Sequence, residues 1–269
     1  YALYSGDVTA KFVDSFGVRE IIGTRYNNTK DVIITVPDIR DYDWSGVTST
    51  SVIGWNSNTD INAAEAKENE ITTDTITISS NVTFYAVYSA EVTLEYNLNG
   101  ADESQQPEPV TVTAYTNAYN LAEVCGEKIT LAQAVKHSLE AQEGYIDSFV
   151  QIAWAENSLD GKSYAPGGEY NLTQNTVMYA LWDGEIKPIT YTIYFDGNGS
   201  TAGEMADIQA KYDEQITLPD NAYVRTTDWG DSTFMGWNRI VDTKTIEFSN
   251  QEIVSNLSTV DGDVVVLYA

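Results

Sequence analysis

The sequence predicts an α+β fold rich in β-structure: three tandem β-grasp-like modules in an elongated array. Two recurring markers carry that prediction. The first is a strand that ends on a Tyr-Ala step, in Tyr1-Ala2-Leu3-Tyr4, Tyr85-Ala86-Val87-Tyr88 and Tyr179-Ala180-Leu181-Trp182, with a shortened copy at Val266-Leu267-Tyr268-Ala269. The steps fall about 90 residues apart, a period that lets each unit fold and is too long for a solenoid repeat. The second is a tryptophan landmark, Ile53-Gly54-Trp55-Asn56, repeated as Met235-Gly236-Trp237-Asn238 and degraded to Ile152-Ala153-Trp154-Ala155. It precedes each Tyr-Ala strand by between 25 and 31 residues.

The elements follow in order. Residues 1–5 read as the last strand of a preceding repeat. Module 1, residues 6–89, carries β-branched and aromatic runs at 9–13, at 21–26 or 32–36, at 52–55 and at 82–88. Module 2, residues 90–185, repeats the plan at 92–96, 110–115, 149–154 and 176–182. Between its second and third strands the pattern predicts a helix over 131–143. Thr130 and Gln133 form a capping box, Leu131, Ala134, Val135 and Leu139 an apolar stripe, and Gly144 sits at the C-cap. Module 3, residues 186–269, begins with a strand at 191–195 that runs into the turn cluster Asp196-Gly197-Asn198-Gly199. A second strand within 207–218 is closed by Pro219, a third lies at 233–237, and the last at 264–268 is apolar on both faces, as an interior strand is. Almost no linker separates modules 1 and 2 at Ser89-Ala90, whereas residues 183–190 form a short, stiff linker containing Pro188. Four strands with a crossover after the second make a grasp around one sheet.

Composition narrows the function classes. A formal charge of −26, from 40 acidic against 14 basic residues, repels phosphate backbones and argues against a nucleic-acid partner. With 42% hydrophobic and 12% aromatic residues the chain fills cores and is no disordered acidic tail. A single cysteine, Cys125, leaves no intrachain disulfide framework. No apolar run reaches the roughly 20 residues of a membrane span, so membrane insertion is not expected. The chain reads as a segment of a longer protein and as a monomer.

The third module carries Tyr191-Thr192-Ile193-Tyr194-Phe195-Asp196-Gly197-Asn198-Gly199, then Ile216-Thr217-Leu218-Pro219, Phe234-Met235-Gly236-Trp237-Asn238 and Val265-Val266-Leu267-Tyr268-Ala269. These runs resemble the Listeria–Bacteroides repeat, also called the internalin-type B repeat. The resemblance extends over residues 7–89 and is thinnest inside module 2, where Ala153 stands for the family glycine. It implies small β-grasp-like modules strung along bacterial surface and secreted proteins, with no catalytic residues to carry over.

Residues that carry chemistry elsewhere read here as structure. Gly197-Asn198-Gly199-Ser200-Thr201-Ala202 has dinucleotide-fingerprint spacing, but strand-like sequence follows where a helix would have to face the pyrophosphate. Asp196, Asn198, Ser200 and Asp207 have partial calcium-loop spacing, with Thr201 where the loop needs glycine. His137 is the single histidine and falls off the apolar stripe of the expected helix, on its solvated side. Cys125 reads as a small loop or core residue. Trp55, Trp154 and Trp237, with Tyr85, Tyr179 and Tyr268, read as the structural repeat core. Trp44 and Trp229, in the irregular stretches before the third strands, are the candidate ligand-stacking residues. No cofactor or metal ligand set is expected.

The function expected is therefore a non-enzymatic bacterial cell-surface or secreted spacer or stalk, with adhesion to host as an added role. An alternative is a module binding a host protein or glycan through aromatic residues of the irregular segments. A carboxylate-dependent glycoside hydrolase ranks last.

Overall fold

Residues 82–97 alternate apolar side chains through VTFYAVYSAEVTLEYN and form one 16-residue strand, Val82–Asn97. The computed structural model describes residues 2–27, 29–137, 142–241 and 243–269. The chain divides into two compact units, one of Tyr1–Asn99, Glu103–Val135 and Ile152–Leu181, the other of Gly100–Asp102, Lys136–Gln151 and Trp182–Ala269. Val82–Asn97 is the spine of the first.

Around the N-terminal half of this strand, Ser5–Asp14 runs parallel (Phe12 opposite Phe84) and Ser49–Asn56 antiparallel (Trp55 opposite Ala86). Gly17–Tyr26 extends the sheet antiparallel to Ser5–Asp14. Around the C-terminal half, Val110–Asn117 pairs antiparallel and Thr176–Asp183 parallel (Tyr96 opposite Met178). Val150–Glu156 lies beyond Thr176–Asp183 in the same sheet. In the second unit Thr190–Asp196 sits between Ile208–Lys211, antiparallel, and Asp263–Tyr268, parallel. An isolated bridge joins Asn238 to Tyr268. One arrangement thus recurs: the first strand is flanked by the second and the last, and the tryptophan segment lies beside the last.

The structure departs from the sequence reading at several places. Among the described residues the only helical turns are two of 3-10 type, Ala64–Lys67 and Glu103–Gln105. Of the expected helix 131–143, residues 138–141, Leu139 included, lie outside the described residues, 131–135 carry no regular structure, and Lys136 and His137 form isolated bridges. Tertiary partners take the backbone groups a helix would need. Leu131 N–H donates to the Gly168 carbonyl, Ala132 N–H to the Tyr96 hydroxyl, and the Ala132 carbonyl accepts from Gly167 and from the Trp154 indole. Both alternatives for the second strand of module 1 form, as Gly17–Tyr26 and Val32–Thr35. Tyr1 lies outside the described residues, residues 2–4 form no strand, and Ser5 opens the first one. Ser89 and Ala90, where almost no linker was expected, lie buried within one continuous strand. In the stretch 183–190, Ile186–Pro188 pairs with Tyr145–Asp147. The stretch 207–218 forms two short strands, Ile208–Lys211 and Ile216–Thr217. At 233–237 only Trp237 bridges, to Phe248. Asp263–Tyr268 is an edge strand of its three-stranded sheet and leaves Val264 exposed.

Each tryptophan packs on an aromatic ring of the first strand. Centroid distances are 5.1 Å for Trp55–Phe12, 4.8 Å for Trp154–Tyr96 and 5.0 Å for Trp237–Phe195. All three indoles are buried. The Tyr-Ala tyrosines are not. Tyr85, Tyr179 and Tyr268 are half-buried and point away from the face that buries Phe84 and Ala86, Met178 and Ala180, or Leu267, because side chains alternate along a strand. Trp55 and Trp154 donate their indole N–H groups to the Pro37 and Ala132 carbonyls, both at 2.9 Å. The buried Trp237 Nε1 has no acceptor among the described residues.

Asp14 is a buried charge of the first unit. Its carboxylate accepts from Arg40 Nε at 2.7 Å, Arg19 Nη2 at 2.9 Å and the Phe16 N–H at 3.0 Å. Burial alone would raise its pKa, but the Arg40 hydrogen bond, the Phe16 amide and the two guanidinium charges together hold it below the usual carboxylate value.

Two outcomes follow from these contacts. Trp237→Phe removes an unpaired donor, whereas Trp55→Phe strands the Pro37 carbonyl. Denaturant titration should therefore find Trp55→Phe costlier by about 1 kcal/mol, beyond the similar packing loss at both sites. Equal costs would mean that Trp237 does have an acceptor. Because the folded Asp14 carboxyl has a depressed pKa, its stabilisation is present above the unfolded value near 3.9 and is lost as pH falls through the folded one. Asp14→Asn should lower stability at pH 7 by about 1 to 3 kcal/mol, and acid melts of variant and parent should converge well below pH 4.

Candidate functional site

The turn Asp196-Gly197-Asn198-Gly199 shapes one end of a cleft in the second unit. Asn198 adopts a positive φ of 44°, which asparagine tolerates, and its N–H donates to Asp196 Oδ1 at 2.7 Å. Its Nδ2 then reaches the Ala269 carbonyl at 3.0 Å, clipping the turn to the end of the last strand. The same device occurs in the first unit, where Asn99 Nδ2 holds the Ala180 carbonyl at 3.0 Å.

The Gly-Trp-Asn landmark builds another wall. A Cβ on Gly236 would fall 2.6 Å from the Phe248 carbonyl oxygen, and one on Gly54 would fall 2.1 Å from Asn69 Cγ, so the tryptophan strand and its return loop pack too closely for a side chain. Asn238 Nδ2 donates to the Thr245 carbonyl and its Oδ1 accepts the Ile240 N–H at 2.7 Å, stapling the loop 239–247. Asn56 does the same for 57–70 through the carbonyls of Glu65 and Glu68.

Between these walls lies a cleft of about 380 Å³, bordered by Asn198, Tyr223, Arg225, Phe234, Lys244 and Tyr268 among others. The Tyr223 hydroxyl donates to the Phe195 carbonyl at 2.7 Å. Burial first, and then neighbouring acidic groups, raise its pKa, so it stays protonated. Arg225 Nη1 donates to the Asn198 carbonyl at 3.2 Å. Among the described residues the lining includes two cations, Arg225 and Lys244, and no Asp or Glu side chain. Such a lining offers ring faces, amides and positive charge.

The other sequence-selected residues fall elsewhere. Trp44 is 9% exposed and packs on Tyr42 at 6.0 Å, so it offers no face for stacking. Trp229 is 97% exposed at the tip of the ladder Thr226–Thr227 and Gly230–Asp231; it does not line the cleft. His137 is nearly buried rather than solvated. Its Nδ1 lies 2.6 Å from Asp147 Oδ2, and its ring packs edge-on to Trp182 at 4.9 Å. Cys125 is half-buried and bridges Tyr115 through its backbone. Asp196 and Asn198, the start of the calcium-like spacing, turn their side chains to backbone groups of the turn and strand. Among the described residues no group of His, Cys, Asp and Glu could hold a metal ion, and no helix is long and apolar enough to cross a membrane.

Comparison with known proteins places part of this architecture. Residues 191–269 match the Listeria-Bacteroides repeat domain. No curated protein and no solved structure matches the chain. Listeria-Bacteroides repeats occur in bacterial surface and extracellular proteins and are generally non-catalytic. Within the matched segment, the asparagines that clip the turn and staple the loop were missed as functional positions. The available signal was Asn-Gly after a strand, repeated at Asn99-Gly100 and Asn198-Gly199, and Trp-Asn, repeated at Asn56 and Asn238.

The contrast between Trp229 and its buried counterparts is measurable. Trp229→Ala should leave the melting transition within about 0.5 kcal/mol of the parent, whereas Asn99→Gly, which keeps the positive φ but deletes the clip to Ala180, should cost about 1 kcal/mol.

Proposed function

We propose that this chain is a non-enzymatic repeat region of a bacterial cell-surface or secreted protein, acting as a spacer that carries neighbouring domains away from the surface. Residues 6–89, 90–185 and 186–269 are read as three successive copies of one grasp-like, internalin-type repeat. The observation that carries the reading is the family match over 191–269. It is supported by the recurrence in residues 5–183 of the same strand order, buried tryptophan and asparagine clip. A strongly anionic exterior suits a solvated spacer, since like charges on successive copies repel at low salt.

A second reading, adhesion to a host protein or glycan, draws support from the exposed Trp229, whose ring is free to stack.

Display on a bacterial wall tests the first reading. An epitope placed ahead of residues 1–269, with a wall anchor after them, should be accessible to antibody. Deletion of 1–269 should reduce that labelling severalfold at equal surface expression, and undiminished labelling would remove the spacer role. Adhesion is scored separately, by retention of the chain on host-cell proteins or arrayed glycans and its loss in Trp229→Ala.

A further inference from the structure

In the first unit, the end of one tryptophan loop is covered by the turn of the next module. The loop 57–70 is anchored where Glu70 N–H donates to the Trp55 carbonyl and Glu70 Oε2 accepts the Ser57 N–H. Onto it fold residues 115–123. Tyr115 lies under Lys67 Nζ, 5.4 Å from the ring centroid, and Tyr119 packs edge-on to Tyr85 at 5.3 Å. Asn117 Nδ2 donates to the Thr59 carbonyl, Asn62 Nδ2 to Glu123 Oε1, and Ala118 N–H to the Ala86 carbonyl.

The second unit repeats the residues of this receiving surface, and among the described residues 239–241 and 243–246 are exposed. Glu247 N–H donates to the Trp237 carbonyl, and Glu247 Oε2 accepts the Arg239 N–H, so Glu247 stands where Glu70 does and Arg239 where Ser57 does. Lys244, three residues before Glu247, takes the place of Lys67, and Tyr268 that of Tyr85. Lys244 and Tyr268 both border the cleft. Beside them Ile240 is 69% exposed and Val241 is also exposed, at the positions of Asn58 and Thr59 in the covered loop. The Ala269 carbonyl holds one bond from Asn198, and a carbonyl oxygen has a second lone pair for an amide such as that of Ala118.

We infer that the surface formed by Ile240, Val241, Lys244 and Tyr268 docks the turn following the second strand of another repeat module, a turn of the chemistry of Tyr115–Glu123. One tyrosine of that turn stacks under Lys244, a second packs against Tyr268, and an acidic residue faces the cationic cleft. The inference rests on the repeat reading given above. It does not depend on the spacer role, which the display experiment decides without this surface.

The test extends the full chain after Ala269 with a second copy of residues 87–185, which recreates the run Tyr85-Ala86-Val87 across the joint. Amide hydrogen exchange is compared at residues 239–246 with and without the extension. A cation–π contact and an aromatic pair together correspond to slowing by about tenfold or more. Lys244→Glu, or Tyr115→Ser in the added copy, should return the exchange toward that of the parent chain. Slowed exchange in the added copy's own strand 110–117 shows that its turn has formed, and unchanged exchange at 239–246 in that protein overturns the inference. Slowing that survives both substitutions also overturns it.

Discussion

Everything in this fold hangs on a buried indole set edge-on or tilted against an aromatic ring of the first strand, beneath a parallel pair of strands. Parallel pairing needs a long crossover, and the chain between first and last strands therefore passes over the sheet and must be tied down on it. The tryptophan does this twice over. Its ring supplies the apolar area that a small module otherwise lacks. In the first unit its N–H also fixes the crossover segment, at Pro37 and at Ala132. Asparagine then performs the local tasks. Asn56 and Asn238 hold the return loop, and Asn99 and Asn198 hold the end of the last strand.

The same framework carries different elaborations. Around Trp55 and Trp237 the following asparagine supports a loop, whereas Ala155 follows Trp154 and the chain turns back at once through Asn157 to Lys162. Where asparagine is missing, Glu156 takes over part of the work by accepting from the hydroxyls of Tyr164 and Tyr170. The Trp154 indole is fully buried all the same.

Much of the strand plan was legible because it rests on local signals: β-branched and aromatic runs, Asn-Gly turns, and a repeat that supplies its own internal comparison. The helix at 131–143 was the clearest misreading, and its cause is instructive. Ile129-Thr130-Leu131-Ala132 is the counterpart of Ile34-Thr35-Val36-Pro37 and Ile216-Thr217-Leu218-Pro219. Two of these stretches carry a proline, which biases the residue before it away from helix, and the third carries alanine, so the local signal reversed while the Ala132 carbonyl, like that of Pro37, still accepts an indole N–H. The core role assigned to the Tyr-Ala tyrosines failed for a different reason. Recurrence marks a constrained position, but only strand phase says which face it occupies, and the residues on either side of the tyrosine face the core. Trp44 and Trp229 looked alike in sequence. Their burial depends on what the neighbouring loop offers, Tyr42 in one case and open solvent at a hairpin tip in the other. The cleft itself was invisible in the sequence because its lining comes from five separate stretches between Gly197 and Ala269.

The spine Val82–Asn97 has a mechanical meaning. Its ladder bonds lie across the strand, so tension along this segment loads rows of them in shear together instead of opening them one at a time. A flexible linker between two small modules would stretch first and let each yield alone. With one strand serving both, there is no slack to take up. The two halves of the first unit resist as a single body, and the event that breaks one ladder removes the partner strand from the other.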